Sequence, residues 1–169
     1  GQPVTRIEEM REALAVYTSR AAERLRKAHM VANGVTVWVQ TNNFIEGEPQ
    51  YANSAFSALP GASAHTSEIL QVAMQVLERI FRKGYRYKKA GVMLSGLEPV
   101  GCRQLSLLDP KPTSDPKAER LMVVLDRANG RWGRDTLRLA ACGIKQNWKM
   151  KQAARSPQYT TCWTDLPEV

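Results

Sequence analysis

The first hundred residues show two kinds of hydrophobic periodicity. Apolar side chains recur every three or four positions over residues 6–28 and again from Thr66 to Phe81, which predicts two amphipathic helices. Thr5 and Glu8 predict a capping box at the start of the first helix. Thr66 is the expected N-cap of the second helix, and Gly84 its expected C′ residue.

Between and after these helices the period changes to two. Val35, Val37 and Val39 alternate with polar or amphipathic residues and predict one strand, while residues 51–59 and 87–94 predict two more. Gly61 is expected to end the second strand. One strand added before residue 1 would complete a β-α-β-β-α-β order, which is the ferredoxin-like split unit. Residues 1–97 are therefore predicted to form an α+β domain whose two helices cover one face of an antiparallel sheet.

The last third of the chain has a different character. Residues 98–117 contain four prolines and read as a linker, and residues 118–169 are predicted to form a small α+β domain. Asp115 and Pro116 suit the N-cap and first position of a helix that Gly130 would end. Alternation of Leu137 and Leu139 predicts a strand. Because about 50 residues are marginal for independent stability, we expect this part to dock on the first domain or on a partner.

The basic residues of 127–155 are interleaved with aromatic side chains, namely Trp132, Trp148 and Tyr159. These rings could stack on unpaired nucleotides, or the two tryptophans could fill a small core, and the residues alone leave both interpretations open.

The charge balance points to a polyanionic partner. The 169 residues carry a net charge of +8, which favours nucleic acid first and an acidic membrane surface second. No apolar run approaches the roughly 20 residues of a membrane span, and the chain starts with a polar amphipathic helix rather than a signal peptide. Three widely spaced cysteines without a Cys-x-x-Cys pair fit a reduced, cytoplasmic protein.

The basic residues concentrate in residues 82–89, which contain five bases and no acid. Strand alternation would send Lys88 and Lys89 to opposite faces, so both cannot lie in one core. A solvated surface and a phosphate-binding surface are both consistent with this run.

No catalytic or metal site is predicted. The scattered aspartates form no pair suited to two metal ions, and His29 and His65 have no cysteine or carboxylate at ligand spacing. The glycines of residues 130–134 do not match a phosphate-binding loop. We therefore expect a non-catalytic chain that requires no cofactor.

One short apolar segment stands apart from both domains. It consists of Gln104, Leu105, Ser106, Leu107 and Leu108. The prolines that follow stop it from continuing as a helix or central strand. It is either an edge strand or loop packed on a domain, or a peptide that docks in an apolar groove of a partner.

Three parts of the chain resemble one family, and they follow one another along the sequence as they do in that family. Residues 104–108 resemble the sliding-clamp-binding motif of bacterial DNA polymerases and repair proteins, although Leu108 stands where the motif usually has Phe. Residues 84–94 resemble the last strand of the little-finger domain of Y-family translesion DNA polymerases, and residues 53–55 its second strand. Residues 121–136 and 156–161 resemble the C-terminal domain of the UmuC branch, which includes plasmid-borne relatives; Cys162 replaces an arginine that is frequent there.

The resemblance implies a DNA-binding and clamp-binding C-terminal region of a polymerase of SOS mutagenesis. Its catalytic domains, which would use Mg²⁺, should precede residue 1. Implied partners are duplex DNA, the bacterial sliding clamp, a UmuD′-like subunit and RecA. The implied DNA-binding residues are Asn53, Ser54, Arg86, Lys88 and Lys89.

Two alternatives stay open beside this interpretation. The first is a stand-alone ferredoxin-like module that binds RNA or regulates another protein, and the second is a pure protein-interaction adaptor. RNA-binding sheets of this kind carry aromatic residues on exposed strands. The strand near residue 88 carries lysines instead, which favours DNA.

Overall fold

The protein is α+β, as predicted. A computed structural model describes residues 2–101, 116–144, 146, 148 and 149. Its helices are α1 (Ile7–Lys27), α2 (Thr66–Ile80) and α3 (Pro116–Trp132), and its strands are β1 (Met30–Thr41), β2 (Ala52–Ser63) and β3 (Tyr87–Pro99). A short 3-10 helix, Ala140–Cys142, follows α3.

The three strands form one antiparallel sheet with β1 in the centre, in the order β2-β1-β3. Val4 lies on the outer side of β3, where it forms an isolated antiparallel bridge with Tyr87. Each of these two residues donates its N–H to the other's carbonyl, both at 2.8 Å. The chain before α1 therefore runs along the edge of the sheet beside β3.

Alternation along β1 builds the core. Val35, Val37 and Val39 are buried on one face of the central strand, against α1 and α2. The helices contribute side chains such as Leu14 and Ile69, both fully buried. Burial of apolar surface on this face is the main stabilising term of the fold. No described helix covers the opposite face, which we call the open face.

The strands are longer than their sequence patterns predicted. Gly61 does not end β2, which continues through Pro60 and Gly61 to Ser63. This continuation is tolerated because β2 is an edge strand. On its solvent side no neighbouring strand needs a hydrogen bond from the backbone N–H that proline lacks. A register shift between Ala32 and Gly34 of β1 accompanies these residues.

The predicted capping box on α1 is wrong. Arg6, not Thr5, is the N-cap of α1, and its side chain makes no capping hydrogen bond. The Glu8 carboxylate instead lies 3.5 Å from the Arg6 guanidinium on the surface.

Both predicted ends of α2 are also displaced. Thr66 is the first helical residue after the N-cap His65, and its hydroxyl accepts a hydrogen bond from Arg26 instead of capping the helix. The helix ends at Ile80, because Phe81 is already extended, with a ψ of 133°. Gly84 is therefore not the C′ residue; it adopts a left-handed φ of 93° in the turn before β3.

The third helix starts at Pro116 as predicted but does not end at Gly130. It continues to Trp132 and ends before Gly133, whose φ of 103° suits the left-handed position that follows many helices. The strand predicted at Leu137 and Leu139 is not formed. That stretch leads directly into the 3-10 helix.

The described residues after 115 dock on the helical layer of the first domain. The Arg26 guanidinium of α1 donates two hydrogen bonds of 2.7 Å to the Asp126 carboxylate of α3. Cys142 is buried in a small apolar cluster with α1 and α2, and its sulfur lies 3.7 Å from the Ser19 hydroxyl. The Trp148 ring contacts Tyr17 edge to face, with centroids 5.8 Å apart.

The structure assigns one of the two tryptophans, Trp148, to the core. Trp148 packs on the core and is partly buried, whereas the Trp132 side chain is 66% exposed. The division into residues 1–97, 98–117 and 118–169 stays a prediction.

Candidate nucleic-acid interface

Level with residues 34–40 of β1, the open face of the sheet carries small or uncharged side chains and a single charge. The strand register assigns its positions, because paired residues share a face and alternate along each strand. They are Gly34, Thr36, Trp38 and Gln40 of β1, Ala52, Ser54, Phe56 and Ala58 of β2, and Lys89, Gly91, Met93 and Ser95 of β3. Among these twelve positions the one charge is the cation of Lys89, so a polyanion that lies across them meets no carboxylate. Beyond them, Glu98 of β3 pairs with Val31 and accepts a hydrogen bond from the Asn33 amide.

Two aromatic rings lie across glycines on the open face. A Cβ added to Gly91 would stand 2.5 Å from each of three indole atoms of Trp38, so the face of the indole covers that glycine. A Cβ added to Gly34 would collide with the Phe56 ring, whose Cζ would be 2.7 Å away. Both glycines are needed because any side chain would push the ring off the sheet. Phe56 remains 57% exposed.

A basic segment, residues 82–89, runs from the end of α2 into β3. An aromatic cluster holds it in place: the Tyr51 and Tyr85 rings have centroids 4.9 Å apart, and the Phe81 and Tyr87 rings 5.2 Å apart. The Tyr87 hydroxyl accepts a hydrogen bond from the Arg82 N–H and donates one to the Arg82 carbonyl, both at 2.9 Å. The backbone that carries the bases is thus ordered by buried and half-buried rings.

Burial also affects the chemistry of Tyr87. Desolvation raises the pKa of its hydroxyl above the ordinary value of 10.0, and the hydrogen bond with Arg82 only partly opposes this rise. The hydroxyl therefore stays protonated and keeps both hydrogen bonds to Arg82, which we call the Tyr87 clasp.

The basic side chains of this segment are not equivalent. The Arg86 guanidinium is paired with the Glu48 carboxylate of the β1–β2 loop. Lys89 lies opposite Gln40, so it belongs to the open face. Lys88 is the extra residue of a β-bulge, because Tyr87 pairs with Thr41 and Lys89 with Gln40.

Strand alternation was the expected reason that Lys88 and Lys89 cannot both lie in the core, but alternation does not hold at the bulge. Both lysines are nevertheless exposed, and neither enters the core.

The other two predicted DNA-binding residues are exposed but separate. Ser54 pairs with Trp38 and lies on the open face beside that ring. Asn53 pairs with Val39 and so faces the helical side at the edge of the sheet, where its amide donates to the Tyr51 hydroxyl at 2.9 Å. The structure thus brings Ser54 and Lys89 onto one face and leaves Asn53 on the other.

Sequence reasoning missed Trp38 and Phe56. Trp38 is out of phase with the buried valines of β1, so alternation alone places it on the open face. Phe56 could be assigned there only with the register, since it shares the face through its partner Thr36. The lysines near residue 88 describe one strand only, since β1 and β2 carry the aromatic rings of Trp38 and Phe56 on the open face.

The predicted clamp-binding residues Gln104, Leu105, Ser106, Leu107 and Leu108 lie outside the described residues. Within the described ranges, no three histidine, cysteine or acidic side chains gather closely enough to hold a metal ion. In the same part of the chain, no helix combines the length and apolar content that a membrane span requires.

Comparison with known proteins places the chain in a family. A model of the impB/mucB/samB family C-terminal domain matches residues 1–107, and a domain of unknown function (DUF4113) matches residues 119–169. Protein UmuC of Salmonella typhimurium is 41% identical over 169 residues, which are 100% of this chain and 40% of UmuC. Protein SamB of Salmonella typhimurium is 39% identical over 167 residues, or 99% of this chain and 39% of SamB.

A relative from a second species agrees. Protein MucB of Escherichia coli is 38% identical over 167 residues, which are 99% of this chain and 39% of MucB. The chain thus spans about 40% of the length of these relatives. Because the first domain model covers 107 of the 169 residues, the chain belongs to the impB/mucB/samB family, and its residues 1–107 correspond to the C-terminal domain of that family.

Proposed function

We propose that this chain is the non-catalytic, DNA-binding and clamp-binding C-terminal region of a Y-family translesion DNA polymerase that acts in SOS damage tolerance. Membership of the impB/mucB/samB family supports the class of parent protein. The observation that carries the DNA-binding part is the open sheet face, which from Gly34 to Gln40 and at the paired positions of β2 and β3 has Lys89 and no acidic side chain.

The DNA contact that we propose is electrostatic and independent of sequence. Lys88 and Lys89 are exposed at the start of β3, on backbone held by the Tyr87 clasp. Contacts from such side chains to phosphates position a duplex without reading its bases. Arg86 can join them only after leaving Glu48, so we assign it a smaller share. Ser54 can donate a hydrogen bond to a phosphate that lies across the open face.

The clamp contact is proposed for residues 104–108. A polar residue followed by leucines suits a peptide that fixes its register by one amide and fills apolar pockets with its side chains. Gln104 is the proposed register contact, and Leu105 and Leu108 are the proposed anchors. Ser106 and Leu107 complete the segment.

The remaining assignments follow the same proposal. The parent polymerase would bind Mg²⁺ through residues outside this chain, and this region would need no cofactor. A UmuD′-like subunit and RecA are the proposed further partners, and the cytoplasm is the proposed location.

Salt dependence of duplex binding tests the proposal. We expect affinity for a mixed-sequence duplex to fall steeply with salt, with a log-log slope of about 0.9 per neutralised phosphate. Replacing Lys88 and Lys89 with alanine should reduce that slope by about 1.8 if each lysine meets one phosphate.

The matched control removes two positive charges elsewhere. Arg24 and Lys27 are exposed near the end of α1, so Arg24→Ala with Lys27→Ala changes net charge equally but leaves the proposed interface intact. The slope should then stay near the wild-type value. Equal slopes for both double variants would remove Lys88 and Lys89 from the interface, and absence of duplex binding would overturn the function.

A further inference from the structure

The aromatic rings on the open face suggest a preference for single-stranded DNA, which phosphate contacts alone do not provide. We propose that Trp38 and Phe56 stack on unpaired bases, so that this face binds single-stranded DNA next to the duplex-binding lysines. The inference rests on the proposed DNA-binding function and adds a substrate class to it.

The geometry of Trp38 carries the first step. Its indole lies with one face on Gly91, so the other face points away from the sheet. A base inside a duplex has its own faces covered by neighbouring base pairs. Only an unpaired base offers a free face to a ring held in this way, and such stacking tolerates any sequence.

The surroundings of the rings carry the second step. The positions beside Trp38 are Ser54 and Gly91, and those beside Gly34 are Ala58 and Ser95. These small side chains let a strand of nucleic acid approach the sheet closely.

The spacing of the rings carries the third step. Trp38 covers Gly91, which is its own cross-strand partner, while Phe56 reaches over Gly34, four residues before Trp38 on β1. At about 3.4 Å per residue, the two rings are separated by roughly 14 Å along the strands. They therefore contact different nucleotides, with Met93, whose side chain is 56% exposed, between them.

The cation needed for the phosphates is adjacent. Lys89 lies on the same face two residues before Gly91, about 7 Å along β3 from the Trp38 ring. A groove or face that combines stacking rings with a cation is the usual platform for single strands.

The experiment compares a single-stranded 15-mer with a blunt duplex of the same sequence, by fluorescence anisotropy at one fixed salt concentration with the full 169-residue chain. Trp38→Leu and Phe56→Leu should each weaken binding of the single strand about tenfold, within the range known for loss of one stacked base. Duplex affinity should change less than twofold. Trp38→Phe and Phe56→Tyr should retain most of the single-strand affinity, because they keep a ring.

Phe44 provides the matched control. It is 91% exposed on the β1–β2 loop and is not one of the open-face positions, so Phe44→Leu is the same substitution outside the proposed stacking site. Circular dichroism checks that each variant folds. If a leucine variant does not fold, the single-strand affinity of the aromatic replacements is compared with that of wild type instead.

Unchanged single-strand affinity in the leucine variants would overturn the inference. An equal loss for single strand and duplex would also overturn it, since the rings would then contact paired DNA, while the proposed DNA-binding function would stand. Absence of binding to either probe by the wild-type chain would overturn both.

Discussion

Replacing Asp126 with alanine should detach α3 from the first domain. The Arg26 guanidinium donates two hydrogen bonds of 2.7 Å to that carboxylate, and the two side chains are only 15% and 20% exposed. Removing one partner of a buried pair costs about 3–5 kcal/mol, because it leaves a charge without compensation. Arg26 keeps hydrogen bonds to the Ala64 carbonyl and the Thr66 hydroxyl, and water can enter. We therefore expect a loss of about 2 kcal/mol in the free energy of unfolding.

A second ion pair between elements of the same fold is the control. Arg11 of α1 and Glu78 of α2 form a single contact of 2.6 Å, but their side chains are 42% and 53% exposed. Exposed pairs of this kind contribute about 0.2–1 kcal/mol. Glu78→Ala should therefore lower stability by less than 1 kcal/mol.

Urea unfolding followed by circular dichroism measures both variants, provided that the chain unfolds in one transition. A double-mutant cycle with Arg26→Ala and Asp126→Ala should give a coupling energy of at least 1 kcal/mol between these residues. If Asp126→Ala cost no more than Glu78→Ala, the pair would not hold α3 on the first domain, and the docked arrangement would be refuted.

Three further predictions concern the clamp, the Tyr87 clasp and catalysis. Leu107→Ala with Leu108→Ala should weaken binding to purified sliding clamp by about 2 kcal/mol or more and leave duplex binding intact, whereas Leu108→Phe should tighten it. Loss of thermal stability with unchanged clamp affinity would instead show that these residues are core. Because burial raises the pKa of Tyr87, the contribution of the protonated hydroxyl to stability is complete below pH 10 and is lost as pH rises further. The urea midpoint should therefore fall more between pH 9 and 11 for wild type than for Tyr87→Phe, and an equal fall in the two proteins would refute this. The chain alone should not extend a primed template with Mg²⁺ and nucleotides, and extension by material free of other polymerases would contradict the non-catalytic assignment.

In residues 1–97, hydrophobic periodicity predicted which segments are helices and strands, because it reflects the side of each element that is buried; the strand predicted at residues 137–139 is not formed. The valines of β1 and the stripes of α1 and α2 all lie in one core. These patterns depend only on neighbours along the chain, so the sequence alone is sufficient to recognise them.

The ends of the elements depended on residues far apart in the sequence. The Thr66 hydroxyl does not cap α2, since Arg26, forty residues earlier, occupies it. Pro60 and Gly61 remain in β2 because that strand lies at the edge of the sheet, a fact fixed by strand order. Local cap and breaker rules contain no information about either contact.

The candidate site shows the same division. Alternation was sufficient to place Trp38 opposite the valines, and charge was sufficient to single out residues 82–89. The pairing of Arg86 with Glu48 could not be read from the sequence, because it joins two loops through the fold. The β-bulge at Lys88 likewise follows from the pairing of β3 with β1.

The indole signals of a ¹H–¹⁵N NMR spectrum test most directly whether the open face is the DNA interface. Trp38 lies on that face, whereas Trp148 packs against Tyr17 of α1, and Trp38→Phe and Trp148→Phe identify their signals. On addition of duplex DNA with a single-stranded overhang, the Trp38 Nε1–H signal should shift until it saturates. Trp148 lines a cavity together with Lys88 and Lys89, so its signal can move as well. A Trp38 signal that does not move at saturating DNA would contradict the account.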